Sequence, residues 1–278
     1  MKNTVRKLTT LLLTLVFLFS MGMYVKQLIE KSSAGSTYTE ALALATSRNE
    51  AEASPEEKPV PQAEAVQPVE LTWIPAPVEE EDPHIPELEQ MDLEALREVN
   101  PDVVGWIRIP DTEINYPLMQ GEDNEYYLER TWNDQKSVTG SIFLEHLNSA
   151  ALTDFNTIVY GHNMQNGSMF AGLRKFNTQQ YWEDHPYVYI RSDLGVYRYE
   201  IFSSYLADVD GTTYGLAFSQ EETRTRFLSN ARENSVIETD ISPETTDRIL
   251  TLSTCSGMGY TTRWVVHARL KMIQTEQP

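Results

Sequence analysis

The chain has 278 residues, enough for one or two domains, and its 41 acidic against 22 basic side chains leave a formal charge of -19. That balance excludes a nucleic-acid binder working by bulk electrostatics. Its single cysteine, Cys255, excludes an intrachain disulfide, so the fold rests on core packing, and it leaves the redox compartment open.

The charge is unevenly spread, which divides the chain into three parts: residues 1–39 carry five basic groups and one acidic, 40–98 three and sixteen, and 99–278 fourteen and twenty-four. Lys2, Arg6 and Lys7 precede eighteen largely apolar residues, 8–25. As a helix these would span about 27 Å, just long enough to cross a bilayer. The hydroxyls of Thr9, Thr10, Thr14 and Ser20 can bond back to helix carbonyls, and the segment holds no charge. A retained signal anchor is expected. A cleaved signal peptide is the alternative, although the small residues it needs lie near 32–36, several positions late. Positive charge ahead of the span places residues 1–7 inside and the rest outside, a single-pass arrangement at the cell membrane.

Residues 46–87 hold eight prolines, many glutamates and few aliphatics, a composition that cannot bury enough surface to offset chain entropy. An acidic tether is therefore expected over 26–87, with Trp73 and Ile74 as its one sticky spot. It is a plain spacer or, alternatively, a docking segment for a partner. The folded domain is expected over 88–278.

Leu88, Met91, Leu96 and Val99 recur at helical spacing up to Asn100-Pro101, where proline disfavours a helical residue before it, so a short helix opens the domain. Strand-like runs follow at 104–109, 141–144, 157–160, 187–190, 196–206, 248–253 and 264–272. Seven or eight such strands predict a mostly β domain, a largely antiparallel sheet curled into a barrel or sandwich. A further helix is expected over 220–233, with Ser219 and Glu222 as a capping box and Phe227, Leu228 and Ala231 as its apolar stripe. No repeat, P-loop or dinucleotide fingerprint occurs, and no cofactor is expected. Scattered histidines and one cysteine lack the close ligand pairs of a zinc site, so no metal is expected either.

Alternation along 248–255 sets Leu250 and Leu252 on one face and Thr251, Ser253 and Cys255 on the other, with Cys255 at the strand's end, where loops can shape a site. A lone cysteine is commonly a small buried hydrophobe. In an exported chain, however, an idle exposed thiol invites oxidation and mispairing, which favours a working nucleophile. Thiol attack at neutral pH needs a thiolate and hence a nearby base or cation. His84 falls in the tether. His267 shares a strand face with Arg269, and solvent exposure is expected for it. His146 follows a strand and His185 precedes Pro186, settings that usually satisfy only local hydrogen bonds. His162 ends the strand at 157–160 and opens a polar loop, which makes it the best base candidate. Arg263 begins the final strand eight residues after Cys255, so a tight antiparallel connection brings the two together, and its guanidinium can donate to a developing oxyanion. A surface arginine paired with an acid is the alternative.

Thr251-Leu252-Ser253-Thr254-Cys255 followed by Arg263-Trp264-Val265-Val266 resembles the active-site strand pair of sortases, the membrane-anchored cysteine transpeptidases of Gram-positive bacteria. Tyr160-Gly161-His162-Asn163-Met164, Asn100-Pro101-Asp102-Val103-Val104-Gly105-Trp106-Ile107 and Asp123-Asn124-Glu125-Tyr126-Tyr127-Leu128 resemble the class B branch, and the similarity runs over about 88–273. The resemblance implies an eight-stranded sortase-type β-barrel with N-terminal helices and an extra helix before the cysteine strand. It also implies attack by Cys255 on the Thr carbonyl of an LPXTG- or NPQTN-type sorting signal, with Arg263 holding substrate and oxyanion. His162 would protonate the leaving amine and later deprotonate an incoming amine of a peptidoglycan precursor or a pilin lysine. Asn124 and Leu128 match positions lining the substrate groove, and the Thr254 hydroxyl either positions substrate or caps the strand. The partners implied are sorting-signal surface proteins or pilins, the amine acceptor, and the membrane through the N-terminal helix. A cysteine hydrolase resolving the thioester with water and a non-enzymatic surface adhesion module are the rival readings.

Overall fold

The computed structural model describes residues 2–52, 82–255 and 261–274, with side chains described over 12–25, 35–47, 82–254 and 261–274. Trp73, Ile74 and the rest of 53–81 in the expected tether lie outside these residues.

Eight strands form a closed barrel in the order β1-β2-β3-β4-β7-β8-β6-β5, namely β1 (Val103–Arg108), β2 (Asn115–Met119), β3 (Ile142–Leu144), β4 (Asn156–Gly161), β5 (Tyr187–Ser192), β6 (Gly195–Asp208), β7 (Ile249–Cys255) and β8 (Thr262–Gln274). Most neighbours are antiparallel, but β2–β3 and β4–β7 pair in parallel. The expected runs each coincide with a strand. β2 is the one missed, because Pro117 sits in its middle and removes a ladder donor. The structure accommodates it: β2 meets β3 only through Leu118 and Met119, so Pro117 lies outside that short ladder.

Alternation fills the barrel with Trp106, Leu118, Val159, Ile190, Leu250, Leu252 and Val266, all at most 1% exposed. A second core forms on the outer face of β6–β8, where helix α5 (Glu221–Glu233) buries Phe227, Leu228 and Ala231 against Phe202, Tyr205, Ile249 and Val265. α5 is thus found where the apolar stripe predicts it. Its cap differs: Gln220 is the N-cap and no side chain bonds there, so the expected Ser219 capping box does not form.

The opening helix is two short ones, α2 (Ile85–Glu89) and α3 (Leu93–Val99), the second capped by Asp92 accepting from the Ala95 amide at 3.0 Å. The N-terminal helix, α1 (Lys2–Glu52), departs from expectation in two ways. The side chains from Leu12 to Val25 are exposed and largely apolar. Among the described residues no helix is long and apolar enough to cross a membrane. Further along, part of the expected tether packs on the barrel. Tyr38, Ala41 and Ala45 are buried, the Tyr38 hydroxyl donates to the Gly140 carbonyl at 2.5 Å, and the Trp132 indole donates to the Thr37 carbonyl at 2.9 Å. The folded unit therefore begins well before residue 88, because this stretch has alanines and a tyrosine at helical spacing in place of the prolines that follow.

Candidate active site

Three neighbouring strands end together. β4 runs parallel to β7 with Gly161 against Thr254, and β7 runs antiparallel to β8 with Cys255 directly opposite Arg263. His162 and Cys255 are thus the next residues along adjacent parallel strands. Cys255 is fixed here by its backbone register, its side chain lying outside the described residues together with 256–260. On β7 the two leucines line the barrel, as alternation predicts, while Thr251 and Ser253 lie on the opposite face and are themselves buried.

A cleft of about 250 Å³ opens at these strand ends, lined by His162, Arg263, Thr254, Asn124 and Leu128. Five of the six expected site residues therefore share one cavity. Phe143, Tyr160, Gly161 and Ser253 are the other described residues that line it, and the sequence assigns none of them a role. Tyr160 was within reach of that reasoning, since it stands two residues before His162 on a strand and therefore on the same face.

His162 is half-buried, and its Nε2 lies 2.7 Å from the Leu128 carbonyl oxygen. A carbonyl only accepts, so Nε2 carries a proton in this arrangement. The contact depends on Gly140, whose φ of +56° suits glycine, and a Cβ added there would stand 2.6 Å from the Leu128 oxygen and 3.0 Å from His162 Cδ2. Arg263 is half-buried and donates from Nη1 to the Thr262 carbonyl at 3.0 Å. The Thr254 hydroxyl is buried with no hydrogen-bond partner among the described residues.

The remaining histidines lie outside the cleft. His84 packs on the Tyr189 ring, His185 Nδ1 sits 3.1 Å from the Pro110 carbonyl oxygen, and His146 Nδ1 is 2.8 Å from Glu145. The expected exposure of His267 is overturned: it is fully buried, with Thr251 at 2.9 Å, Tyr205 at 3.2 Å and Phe227 edge-on above it. Its outer strand face is open in the sequence but covered by α5 in the fold. Burial lowers its pKa to about 3, so the ring stays neutral.

A sortase domain pattern matches residues 107–271, more than half of the chain. The chain belongs to the class B sortases. Sortase B of Listeria monocytogenes is 40% identical over 164 residues, 59% of this sortase and 67% of that protein. Sortase B of Staphylococcus aureus is 33% identical over 163 residues, again 59% and 67% of the two chains. Among solved structures, a Staphylococcus aureus sortase B–substrate complex superposes with a TM-score of 0.62 at 32% identity, over 65% of this chain and 85% of the other. Sortase B of Bacillus anthracis in complex with AAEK1 gives a TM-score of 0.66 at 31% identity, over 87% and 98%. The eight-stranded barrel is the sortase B fold, and this sortase is a cysteine transpeptidase.

Proposed function

We propose that this sortase cleaves a sorting signal of LPXTG or NPQTN type at its Thr carbonyl and joins the new acyl end to an amine. The Cys255 thiolate attacks the carbonyl carbon, and the oxyanion that develops is met by the Arg263 guanidinium. Collapse breaks the C–N bond, His162 delivers a proton to the departing amine, and a thioester on Cys255 remains. An incoming amine loses a proton to His162, attacks the thioester and restores the thiolate. Asn124, Leu128 and Thr254 hold the signal along the cleft. The Thr254 hydroxyl supports this, since it is buried and has no partner among the described residues, which suits it to bond a bound substrate.

The observation that carries the reading is the strand register, with Cys255 opposite Arg263 and His162 one step past the Gly161–Thr254 pair. An amine of a lipid II-like peptidoglycan precursor is the proposed acceptor. The exposed apolar stretch of α1 and the basic residues before it support attachment at a membrane, with the short N-terminus inside and the barrel outside. To test the reaction, the purified chain is mixed with fluorogenic peptides containing LPXTG or NPQTN cores, with and without triglycine or a lysine-bearing pilin peptide. Release of the tail and appearance of the joined product support it. Cleavage yielding only free acid at saturating amine assigns water as the acceptor, and no cleavage of any peptide refutes the reading.

A further inference from the structure

Glu145 follows β3 and is 5% exposed, yet it does not line the cleft. A buried carboxylate is costly unless its oxygens are satisfied, and here both are. Oε2 accepts from Asn124 Nδ2 at 2.5 Å and from the Tyr160 hydroxyl at 2.9 Å. Oε1 accepts from the Leu147 amide at 3.3 Å and lies 2.8 Å from His146 Nδ1. Its backbone is pinned as well, the amide donating to the Ile158 carbonyl at 2.8 Å and the carbonyl accepting from Gln120 Nε2 at 3.1 Å. Asn124 and Tyr160 both line the cleft beside His162.

This arrangement dictates which atoms the cleft offers. A backbone N–H can only donate and a carboxylate can only accept, so Asn124 has one orientation: Oδ1 takes the His146 amide at 3.0 Å and Nδ2 gives one hydrogen to Glu145. One Nδ2 hydrogen is left over. Tyr160 spends its single hydrogen on Glu145, so its phenol oxygen has only lone pairs to offer elsewhere. Burial and the adjacent carboxylate push that phenol further above its ordinary range, so it remains a neutral donor.

We infer that Glu145 is a positioning residue that sets substrate specificity, fixing Asn124 as a donor and Tyr160 as an acceptor so that the cleft wall is complementary to a peptide group or carboxamide of the sorting signal. The inference rests on the proposed reaction and deepens it. In Glu145→Met no acceptor oxygen remains, so Asn124 and Tyr160 both lose the partner that orients them.

The test uses the full chain and an NPQTN peptide. Glu145→Met raises KM about tenfold or more, the loss expected of hydrogen bonds to a charged group, while kcat falls less than about threefold. Alkylation of Cys255 by iodoacetamide proceeds at about the wild-type rate, which a purely structural role would not preserve. A second arm keeps Glu145 in place: the effects of Asn124→Ala and Tyr160→Phe on KM, measured singly and together, differ from additivity by several-fold because one carboxylate oxygen serves both. An unchanged KM in Glu145→Met, strict additivity in the cycle, or equal collapse of kcat, alkylation and melting temperature overturns the inference. If the wild-type chain cleaves no sorting peptide, it is the proposed reaction that fails.

Discussion

Arg263 is asked to act through shape as well as charge, because a planar fork can bond substrate backbone and oxyanion together where an ammonium makes one point contact. Arg263→Lys is therefore expected to lower kcat/KM by about 100-fold or more, and near-wild-type turnover in a peptide cleavage assay would remove it from the oxyanion role. Gly140 sets the neighbouring contact. Gly140→Ala forces a Cβ against the Leu128 carbonyl and the His162 ring at a positive φ, which costs about 1–3 kcal/mol and displaces the imidazole. The expected result is a lower melting temperature together with a slower release of peptide tail, and an unchanged protein would show that the His162–Leu128 contact is dispensable. At this scale the strand-end positions of Cys255, His162 and Arg263 were legible, since each stands where a strand pattern stops. Glu145 was not, because its partners Asn124 and Tyr160 are 21 and 15 residues away and no local pattern links them.

Elements were legible where one period dominates. β6 and β8 are long strand-like runs, and α5 carries a clear apolar stripe. β2 was hidden by Pro117, and the docking of α1 over 35–47 was hidden because Thr37 and Tyr38 meet their partners, Trp132 and Gly140, about a hundred residues later. That docking has a direct consequence for the site, since Tyr38 bonds the carbonyl of Gly140, which abuts His162. Tyr38→Phe removes one buried hydrogen bond and is expected to lower unfolding free energy by roughly 1 kcal/mol, read as a shift of the urea midpoint. No shift would mean that this part of α1 is not held to the barrel in solution.

Over the whole molecule the two cores meet at β7 and β8, with the reactive strand ends at one rim and a neutral histidine sealed beneath α5. His267 has a pKa of about 3 when folded against an ordinary 6.5, so the unfolded chain takes up a proton that the native chain refuses. Its contribution to stability is complete above pH 6.5 and is lost progressively as pH falls toward 3. The melting temperature is expected to decline already between pH 6.5 and 4.5, above the range where carboxylates titrate, and His267→Gln flattens that decline. Equal slopes for the two proteins would contradict it. The barrel as a whole was readable from strand count and resemblance, whereas its closure through two parallel pairings was not, since pairing between distant strands leaves no mark on either segment alone. In the proposed reaction the sulfur of Cys255 is the acylated atom. Intact-mass measurement of the chain quenched in acid during turnover of a sorting peptide is expected to show the added mass of the peptide through its Thr, mapped to Cys255 and absent in Cys255→Ala. A chain that releases the tail with no such adduct, or carries it on another residue, would contradict the mechanism.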